Sequence, residues 1–194
     1  MTVEELIAWL DKYQATIEAN KANLSEMDTV IGDGDHGNNM ARGMDAVKES
    51  LAQNPPADLV AGLKAVAMSL ISKVGGASGP LYGTAFLEMG KAAKNDATFP
   101  EMIQAGADGI AKRGGAAIGN KTMLDVWIPV AKDLAANTLT ADKIDRYVEA
   151  TKPLQATKGR ASYLGERSIG HIDPGAASSG MLFKDLLTVW GSNA

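Results

Sequence analysis

Apolar side chains recur every three or four residues along almost the whole sequence, and this spacing constrains the fold more than any other feature. In the first segment, residues 2 to about 20, the stripe on one helix face includes Leu6, Leu10, Tyr13 and Ile17. The same spacing predicts seven further helices, over about 37–51, 57–73, 80–93, 100–113, 122–136, 140–156 and 173–190. No alternating run is long enough to build a sheet. The sequence therefore predicts an all-α protein.

Length and charge narrow the classes of protein that this chain can belong to. With 194 residues, we expect a single domain over residues 1–194, arranged as an antiparallel up-and-down barrel or bundle of eight helices. There is no cysteine, which excludes disulfides and thiolate metal sites. The formal net charge of −4 argues against a general nucleic-acid binder. The absence of a membrane-length apolar run and of a basic leader predicts a cytoplasmic protein with no membrane partner.

Four loops rich in glycine and small polar residues precede predicted helices two, four, six and eight. They lie at about 32–37, 75–80, 114–122 and 170–175. In an up-and-down array alternate loops share one end, so four helix N-termini should meet there. Helix N-termini carry unsatisfied N–H groups and partial positive charge, which favour anions. We therefore expect an anion site in the loops at that end.

The most unusual segment, residues 28–37, reads Asp-Thr-Val-Ile-Gly-Asp-Gly-Asp-His-Gly. Its glycines fit the dinucleotide pattern G-x-G-x-x-G, but two intervening aspartates would repel a bare pyrophosphate. A divalent cation between carboxylates and phosphate removes this conflict, because Mg²⁺ is usually held by one or two carboxylates plus substrate phosphates. Asp28, Asp33 and Asp35 are therefore candidate metal ligands. A solvated turn is the alternative, since Asp and Gly both favour turns.

The segment 114–122 almost matches a phosphate-binding P-loop. That pattern requires lysine directly after the second glycine, whereas Asn120 intervenes before Lys121. The preceding residues also have helical rather than strand spacing, so we exclude a P-loop nucleoside triphosphatase. A turn between helices is the simpler interpretation, with Lys121 left as a possible phosphate contact.

Several charged or titratable side chains fall in the same unusual loops. Both histidines of the chain, His36 and His171, lie there. Lys158, Arg160 and Arg167 form a basic loop between two predicted helices. Such charges are commonly solvated, but Arg160 lies between two small residues and could reach a phosphate or a nucleotide base.

These motifs together resemble the nucleotide-binding domain of dihydroxyacetone kinases. The matching stretches are residues 32–40, 75–83, 119–125 and 159–163 continuing to 171–176, in the order found in that family. The combination covers the chain from near residue 28 to near residue 180. Each stretch alone would be a weak signal, but the set is highly specific.

The resemblance implies an eight-helix antiparallel barrel with the nucleotide site in the loops at one end. It implies two Mg²⁺ ions, held by Asp28, Asp33 and Asp35, that bridge the nucleotide phosphates. It also implies nucleotide contacts from His36, Gly37, Asn38, Asn39, Ala77, Ser78, Gly115, Met123, Arg160, Asp173, Pro174 and Gly175. It implies no catalytic side chain from this chain.

Two versions of this kinase exist, and the resemblance favours the one with separate subunits, because 194 residues leave no room for a dihydroxyacetone-binding domain. In that version ADP stays tightly bound and is rephosphorylated to ATP by a phosphohistidine protein of the sugar phosphotransferase system. The ATP then phosphorylates dihydroxyacetone on another subunit. The resemblance thus implies a phosphotransferase that is active with two partner subunits.

Three other functions remain as alternatives. The chain could be the nucleotide domain of a related kinase of the ATP-dependent or fatty-acid type, although the latter proteins carry additional domains. It could be a non-catalytic regulatory relative, which the intact aspartates disfavour. It could also be a dinucleotide-binding oxidoreductase, which the missing sheet disfavours.

Overall fold

The protein, described here by a computed structural model covering residues 1–191, is built from helices. Within these residues the chain forms eight α-helices, one 3₁₀ helix and no β-strand. The α-helices are α1 (Val3–Ile31), α2 (His36–Gln53), α3 (Leu59–Lys73), α4 (Ser78–Lys94), α5 (Phe99–Gly114), α6 (Leu124–Ala135), α7 (Ala141–Glu149) and α8 (Pro174–Trp190). The 3₁₀ helix is Arg160–Ser168. The all-α prediction is therefore confirmed.

The helices form a closed ring, since each packs against the next and α8 packs against α1. The apolar stripes of all eight helices meet inside this ring. Trp9 and Trp127 are fully buried there, and the Trp127 ring packs edge-on against Phe183 at 4.9 Å between centroids. Burial of one such large side chain stabilises the fold by roughly 1.5–3 kcal/mol. Because aliphatic side chains from all eight helices meet in the interior, the protein fills its core with few aromatic residues.

Helix α1 is longer than its sequence pattern predicted. It continues past residue 20 because Leu24 and Ile31 extend the stripe of Ile17 at intervals of seven residues, and all three are buried. Gly32 ends the helix, with its N–H donating to the carbonyl oxygen of Asp28. Asp28 therefore lies in the last helical turn and not in a loop.

Two other segments also differ from the helical pattern. Helix α7 ends at Glu149 rather than near residue 156, because Pro153 follows within one turn and disfavours helical geometry before it. The segment after Gly159, expected to be irregular, forms the 3₁₀ helix, which is interrupted at Gly165 with φ of 55°. The basic residues Lys158 and Arg160 therefore lie at the start of the 3₁₀ helix, on either side of Gly159.

The N-termini of α2, α4, α6 and α8 all border one cavity, as the order of the loops predicted. Asp173 caps α8 by accepting a hydrogen bond from the Ala176 N–H at 2.7 Å. Among the described helices, none is both long and apolar enough to cross a membrane.

Candidate functional site

A cavity of about 450 Å³ lies at the end of the ring where these four N-termini meet. Its volume falls in the range typical of small-molecule sites. Twelve of the fifteen residues predicted for the site line it: Asp28, Asp33, Asp35, His36, Asn39, Ala77, Ser78, Met123, Arg160, Asp173, Pro174 and Gly175. The structure thus brings together residues that are up to 147 positions apart in the chain, from 28 to 175.

The other three predicted residues, Gly37, Asn38 and Gly115, do not line the cavity. Gly37 packs against α1, where a Cβ would lie 1.9 Å from the carbonyl oxygen of Lys21. The Asn38 N–H donates to the Ser25 hydroxyl at 3.3 Å. Gly115 adopts a left-handed conformation, φ 58° and ψ 33°, that ends α5. In this structure these residues shape the loops around the cavity.

Asp28, Asp33 and Asp35 form a cluster in which one carboxylate oxygen of each lies within 4.8 Å of the others. Asp28 projects from the last turn of α1, while the other two belong to the loop between α1 and α2. No second cluster of three or more acidic or histidine ligands occurs among residues 1–191. Clustered carboxylate oxygens are the ligands preferred by hard divalent cations such as Mg²⁺.

The carboxylate of Asp28 is held firmly in place by the loop backbone. Its Oδ2 accepts hydrogen bonds from the N–H groups of Asp35, at 2.9 Å, and His36, at 3.1 Å. Its Oδ1 lies so close to Gly32 that a Cβ at that position would be 2.0 Å away. Asp28 therefore fixes the loop and leaves oxygen lone pairs for a cation, so the donor set fits the metal that the sequence implies.

The three carboxylates of the cluster carry like charges and lie close together, so they repel one another. The pKa of Asp33 is raised, first by partial burial and then by Asp35 and Asp28, while Arg160 lowers it. The Arg160 Nε lies 2.9 Å from the Asp33 Oδ2. A cation bound among the carboxylates would relieve the remaining repulsion.

Three exposed cations border the same cavity: Arg160, Lys158 and Arg113. Arg113 was missed in the sequence because a basic residue in the last turn of α5 is typical of any helix end. Its position directly before two glycines was the available signal. Together with the four helix N-termini, these side chains make the cavity suitable for an anion that is itself bridged to the carboxylates by a metal.

Lys121, suggested by the sequence as a phosphate contact, does line the cavity, but its ammonium group bonds to backbone carbonyls. It is buried, with 1% of its surface exposed, and its φ is 61°. Its ammonium group donates to the carbonyl oxygens of Thr151, at 2.8 Å, and His171. Burial lowers the pKa of Lys121, while Asp173 and Asp125 raise it. Lys121 thus ties together three loops at the wall of the cavity.

Asp173 is the most perturbed carboxyl group of the cavity. Burial raises its pKa to about 7, with Asp125 and Asp28 acting in the same direction. The Ala176 N–H and Lys121 act in the opposite direction. Asp173 therefore exchanges its proton near neutral pH, which is far above the usual range of a carboxyl group.

His36 is buried at the start of α2, between two serine hydroxyls. Its Nδ1 lies 3.1 Å from the Ser78 Oγ, and its Nε2 lies 2.9 Å from the Ser178 Oγ. Burial lowers the pKa of His36 to about 4, although Asp35 opposes the shift. The imidazole is therefore neutral at physiological pH. His171, by contrast, has an exposed side chain and does not line the cavity.

Comparison with known proteins gives one family for most of the chain. Residues 30–188 match the model of the DAK2 domain. The chain is 52% identical over 189 residues to the PTS-dependent dihydroxyacetone kinase ADP-binding subunit DhaL of Lactococcus lactis, covering 97% of this chain and 98% of that protein. It is 51% identical over 185 residues to the PEP-dependent dihydroxyacetone kinase 1 ADP-binding subunit DhaL of Listeria innocua, covering 93% of each.

Solved structures give the same architecture. The native dihydroxyacetone kinase of C. freundii aligns with a TM-score of 0.77 and 26% identity over 94% of this chain. The structure of that kinase in complex with AMP-PNP and Mg²⁺ aligns with a TM-score of 0.78 at 24% identity, which supports the fold. The chain spans about a third of the length of these larger kinase chains.

Proposed function

This chain belongs to the DAK2 domain family, and from that premise we propose that it is the ADP-binding subunit of a phosphotransferase-system-dependent dihydroxyacetone kinase. The observation that carries the proposal is the carboxylate cluster, with oxygens within 4.8 Å, at a cavity bordered by four helix N-termini. This combination suits a metal-bridged phosphate group. The near-complete coverage of the Lactococcus and Listeria subunits supports the same conclusion.

We assign Asp28, Asp33 and Asp35 as ligands of two Mg²⁺ ions. When bound, these ions would offset the negative charge of the nucleotide phosphates. Asp28 is oriented by two backbone N–H groups, so part of the cost of ordering the ligand set is already met in the folded loop.

The nucleotide itself would lie against the helix N-termini. Ala77 and Ser78 begin α4, and Asp173, Pro174 and Gly175 begin α8, so both segments offer backbone N–H groups for phosphate oxygens. The apolar part of the wall includes Leu81 and Ile110, which can take the adenine ring. The remaining proposed contacts are His36, Gly37, Asn38, Asn39, Gly115, Met123 and Arg160. Tight retention of ADP is part of the proposal.

In the proposed cycle, bound ADP accepts a phosphoryl group from a phosphohistidine of a donor subunit, and the ATP formed passes it to dihydroxyacetone on a second partner subunit. Phosphoryl transfer needs positioning and charge neutralisation more than a protein nucleophile. We therefore assign no catalytic side chain to this chain. Because the donor belongs to the phosphotransferase system, we place the reaction in the cytoplasm.

Isothermal titration of the purified chain with ADP tests the proposal. We expect ADP binding that requires Mg²⁺ and is lost with EDTA, and a loss of at least tenfold in affinity for Asp33→Asn. Asp11→Asn is the matched control, because Asp11 is an exposed aspartate on the outer surface of α1. Equal ADP affinity with and without Mg²⁺ would contradict the metal assignment.

A reconstituted assay tests the reaction. Phosphoryl transfer from a phosphohistidine donor protein to dihydroxyacetone should require this chain, Mg²⁺ and the dihydroxyacetone-binding subunit together. A chain that uses free ATP without a donor protein would instead belong with the ATP-dependent relatives.

A further inference from the structure

A continuous series of hydrogen-bonded side chains runs from the centre of the core to the cavity. In order, its members are Trp127, Ser179, Tyr82, Ser178, His36 and Ser78. The five successive contacts measure 3.1, 2.8, 2.8, 2.9 and 3.1 Å. The first five members are buried, and the last two, His36 and Ser78, line the cavity. We call this set the Trp127–Ser78 chain.

The core end of the Trp127–Ser78 chain has a fixed direction. An indole N–H can only donate, so Ser179 accepts from Trp127. The other partner of the Ser179 hydroxyl is the Tyr82 oxygen at 2.8 Å, and Ser179 donates to it, because the reverse order would leave the buried serine proton without an acceptor among the described residues. The Tyr82 hydroxyl can then donate its own hydrogen bond to the Ser178 Oγ.

Neighbouring groups do not reverse this direction. The Tyr13 hydroxyl also lies beside the Tyr82 hydroxyl, but its proton is donated to the backbone carbonyl of Ser178 at 3.2 Å. The Ser178 hydroxyl has two acceptors in reach, the His36 Nε2 at 2.9 Å and the Gly175 carbonyl at 3.2 Å. The shorter contact is to His36. Because the Ser178 hydroxyl accepts a hydrogen bond from Tyr82, it is also more strongly polarised as a donor.

We propose that the Trp127–Ser78 chain holds His36 as the tautomer protonated at Nδ1, and that Ser78 is thereby left to donate its hydroxyl proton into the cavity. In this arrangement Nε2 accepts from Ser178, and the Nδ1 proton is donated to the Ser78 Oγ. Ser78 already accepts from the histidine, so its own proton is available for a ligand.

This inference rests on the proposed function, since it explains how an acidic cavity admits a phosphate. Phosphate oxygens only accept hydrogen bonds from the protein, and Asp28, Asp33 and Asp35 offer acceptors alone. With the opposite tautomer, Ser78 would donate to His36 and present lone pairs to the anion. Beside its proposed contact with the nucleotide, His36 is thus also a positioning residue that acts through Ser78.

Nitrogen NMR of the two histidine rings tests the tautomer directly. The chain has only His36 and His171, so a His171→Gln variant identifies the signals of His36. In protein free of metal and nucleotide, we expect a protonated Nδ1 and an unprotonated Nε2 for His36. A proton on Nε2 would overturn the inference, and this measurement needs no nucleotide binding.

Two tyrosine variants test the role of the chain. Tyr82→Phe interrupts it in the middle, whereas Tyr13→Phe removes an equally buried hydroxyl that contacts Tyr82 but forms no link between Trp127 and Ser78. In Tyr82→Phe we expect His36 to populate both neutral tautomers. ADP binding should weaken about tenfold, with adenosine binding unchanged. Tyr13→Phe should keep the tautomer. Loss of the tautomer in Tyr13→Phe but not in Tyr82→Phe would overturn the assigned direction.

The outcomes separate this inference from the proposed function. ADP binding together with an Nε2-protonated His36 would support the proposed function but refute the role of the Trp127–Ser78 chain. A protein with an Nδ1-protonated His36 that binds no ADP would refute the function and keep the tautomer. Should Tyr82→Phe not fold, Ser178→Ala tests the same link, with the same loss of tautomer expected.

Discussion

The Arg160 guanidinium lies 2.9 Å from the Asp33 carboxylate and joins the 3₁₀ helix to the loop between α1 and α2. Both side chains are partly exposed, so this ion pair contributes little to folding stability. Its importance lies in its position, because the same carboxylate is a proposed metal ligand. A cation of the protein therefore competes with the metal for Asp33 while no nucleotide is bound.

Arg160→Gln should accordingly raise the affinity of the nucleotide-free protein for Mg²⁺. Exposed ion pairs contribute about 0.2–1 kcal/mol, so we expect an effect of about 1.4-fold to fivefold. Titration with Mg²⁺ in the absence of nucleotide measures it. Arg167→Gln, an exposed arginine in the same 3₁₀ helix, is the control and should leave the affinity unchanged. A weaker Mg²⁺ affinity in Arg160→Gln would refute the competition.

Asp28 and Asp35 should respond differently to the same substitution. The Asp28 Oδ2 accepts two backbone hydrogen bonds, so Asp28→Asn weakens both the metal site and the loop. We expect a loss of about 1 kcal/mol in unfolding free energy, measured in EDTA, together with weaker Mg²⁺ and ADP binding. Asp35→Asn should weaken binding alone, because it removes only a charge from a crowded cluster. Equal losses of stability in EDTA would contradict this division of roles.

Much of this architecture was predictable from the sequence because helical spacing and loop order are local signals. The apolar stripe of α1 and the glycine-rich loops were enough to place four helix N-termini at one end. The length of α1 was underestimated because no large apolar residue lies between Ile17 and Leu24, so the stripe is interrupted for six residues.

The parts of the site that were not predicted depend on contacts between distant segments. Lys121 resembles a phosphate-binding lysine in sequence. In the structure its ammonium group instead donates hydrogen bonds to carbonyl groups 30 and 50 positions away along the chain. The two serine partners of His36 are likewise contributed by α4 and α8. Local patterns therefore locate the cavity, while the orientation of its side chains depends on the packing of the ring.

Asp173 should make folding stability depend on pH near neutrality. Its pKa is about 7 in the folded protein and near 3.8 when unfolded, so between these values the folded state holds a proton that the unfolded state has released. Stability should therefore fall as pH rises toward 8, with a slope of at most about 1.4 kcal/mol per pH unit. Asp173→Asn, which keeps an acceptor for the α8 cap, should flatten this slope.

His36 restricts the pH range in which that experiment is informative. Its pKa is about 4 in the folded protein and 6.5 when unfolded, so the unfolded state binds the extra proton between these values. Its contribution to stability therefore rises with pH up to about 6.5, opposite in sign to that of Asp173. Melting temperatures between pH 6.5 and 8, measured in EDTA, isolate Asp173. An unchanged slope in Asp173→Asn would show that its carboxyl group is ionised throughout.

Lys121→Met should destabilise the fold far more than substitution of an exposed lysine. The change leaves the carbonyl groups of Thr151 and His171 without their buried donor, at a cost of about 2–4 kcal/mol. Urea unfolding measures the difference. Lys158→Met, at the rim of the same cavity, should change stability by less than about 0.5 kcal/mol. Similar losses in both variants would mean that the buried ammonium does not hold the loops.

Gly37→Ala should separate α2 from α1 and so disturb the site indirectly. The new Cβ would lie 1.9 Å from the carbonyl oxygen of Lys21, and a helix backbone cannot withdraw as a flexible side chain can. We expect a loss of about 1–3 kcal/mol in stability. The start of α2 carries His36 and borders Asp35, so Mg²⁺-dependent ADP binding should weaken as well.

Gly90→Ala is the matched control for this prediction, since Gly90 is also a buried glycine inside a helix. A Cβ there meets its nearest atom, the Leu63 Cβ, at 3.4 Å, which is an ordinary contact. Alanine is the better helix former, so stability should be unchanged or higher by up to about 1 kcal/mol, and ADP binding should be unaffected. If the two variants lose stability equally, helix interiors in this ring tolerate no added methyl group, and the close approach of α1 and α2 is not special. If Gly37→Ala alone is destabilised and binds ADP weakly, the geometry of the metal loop depends on that approach.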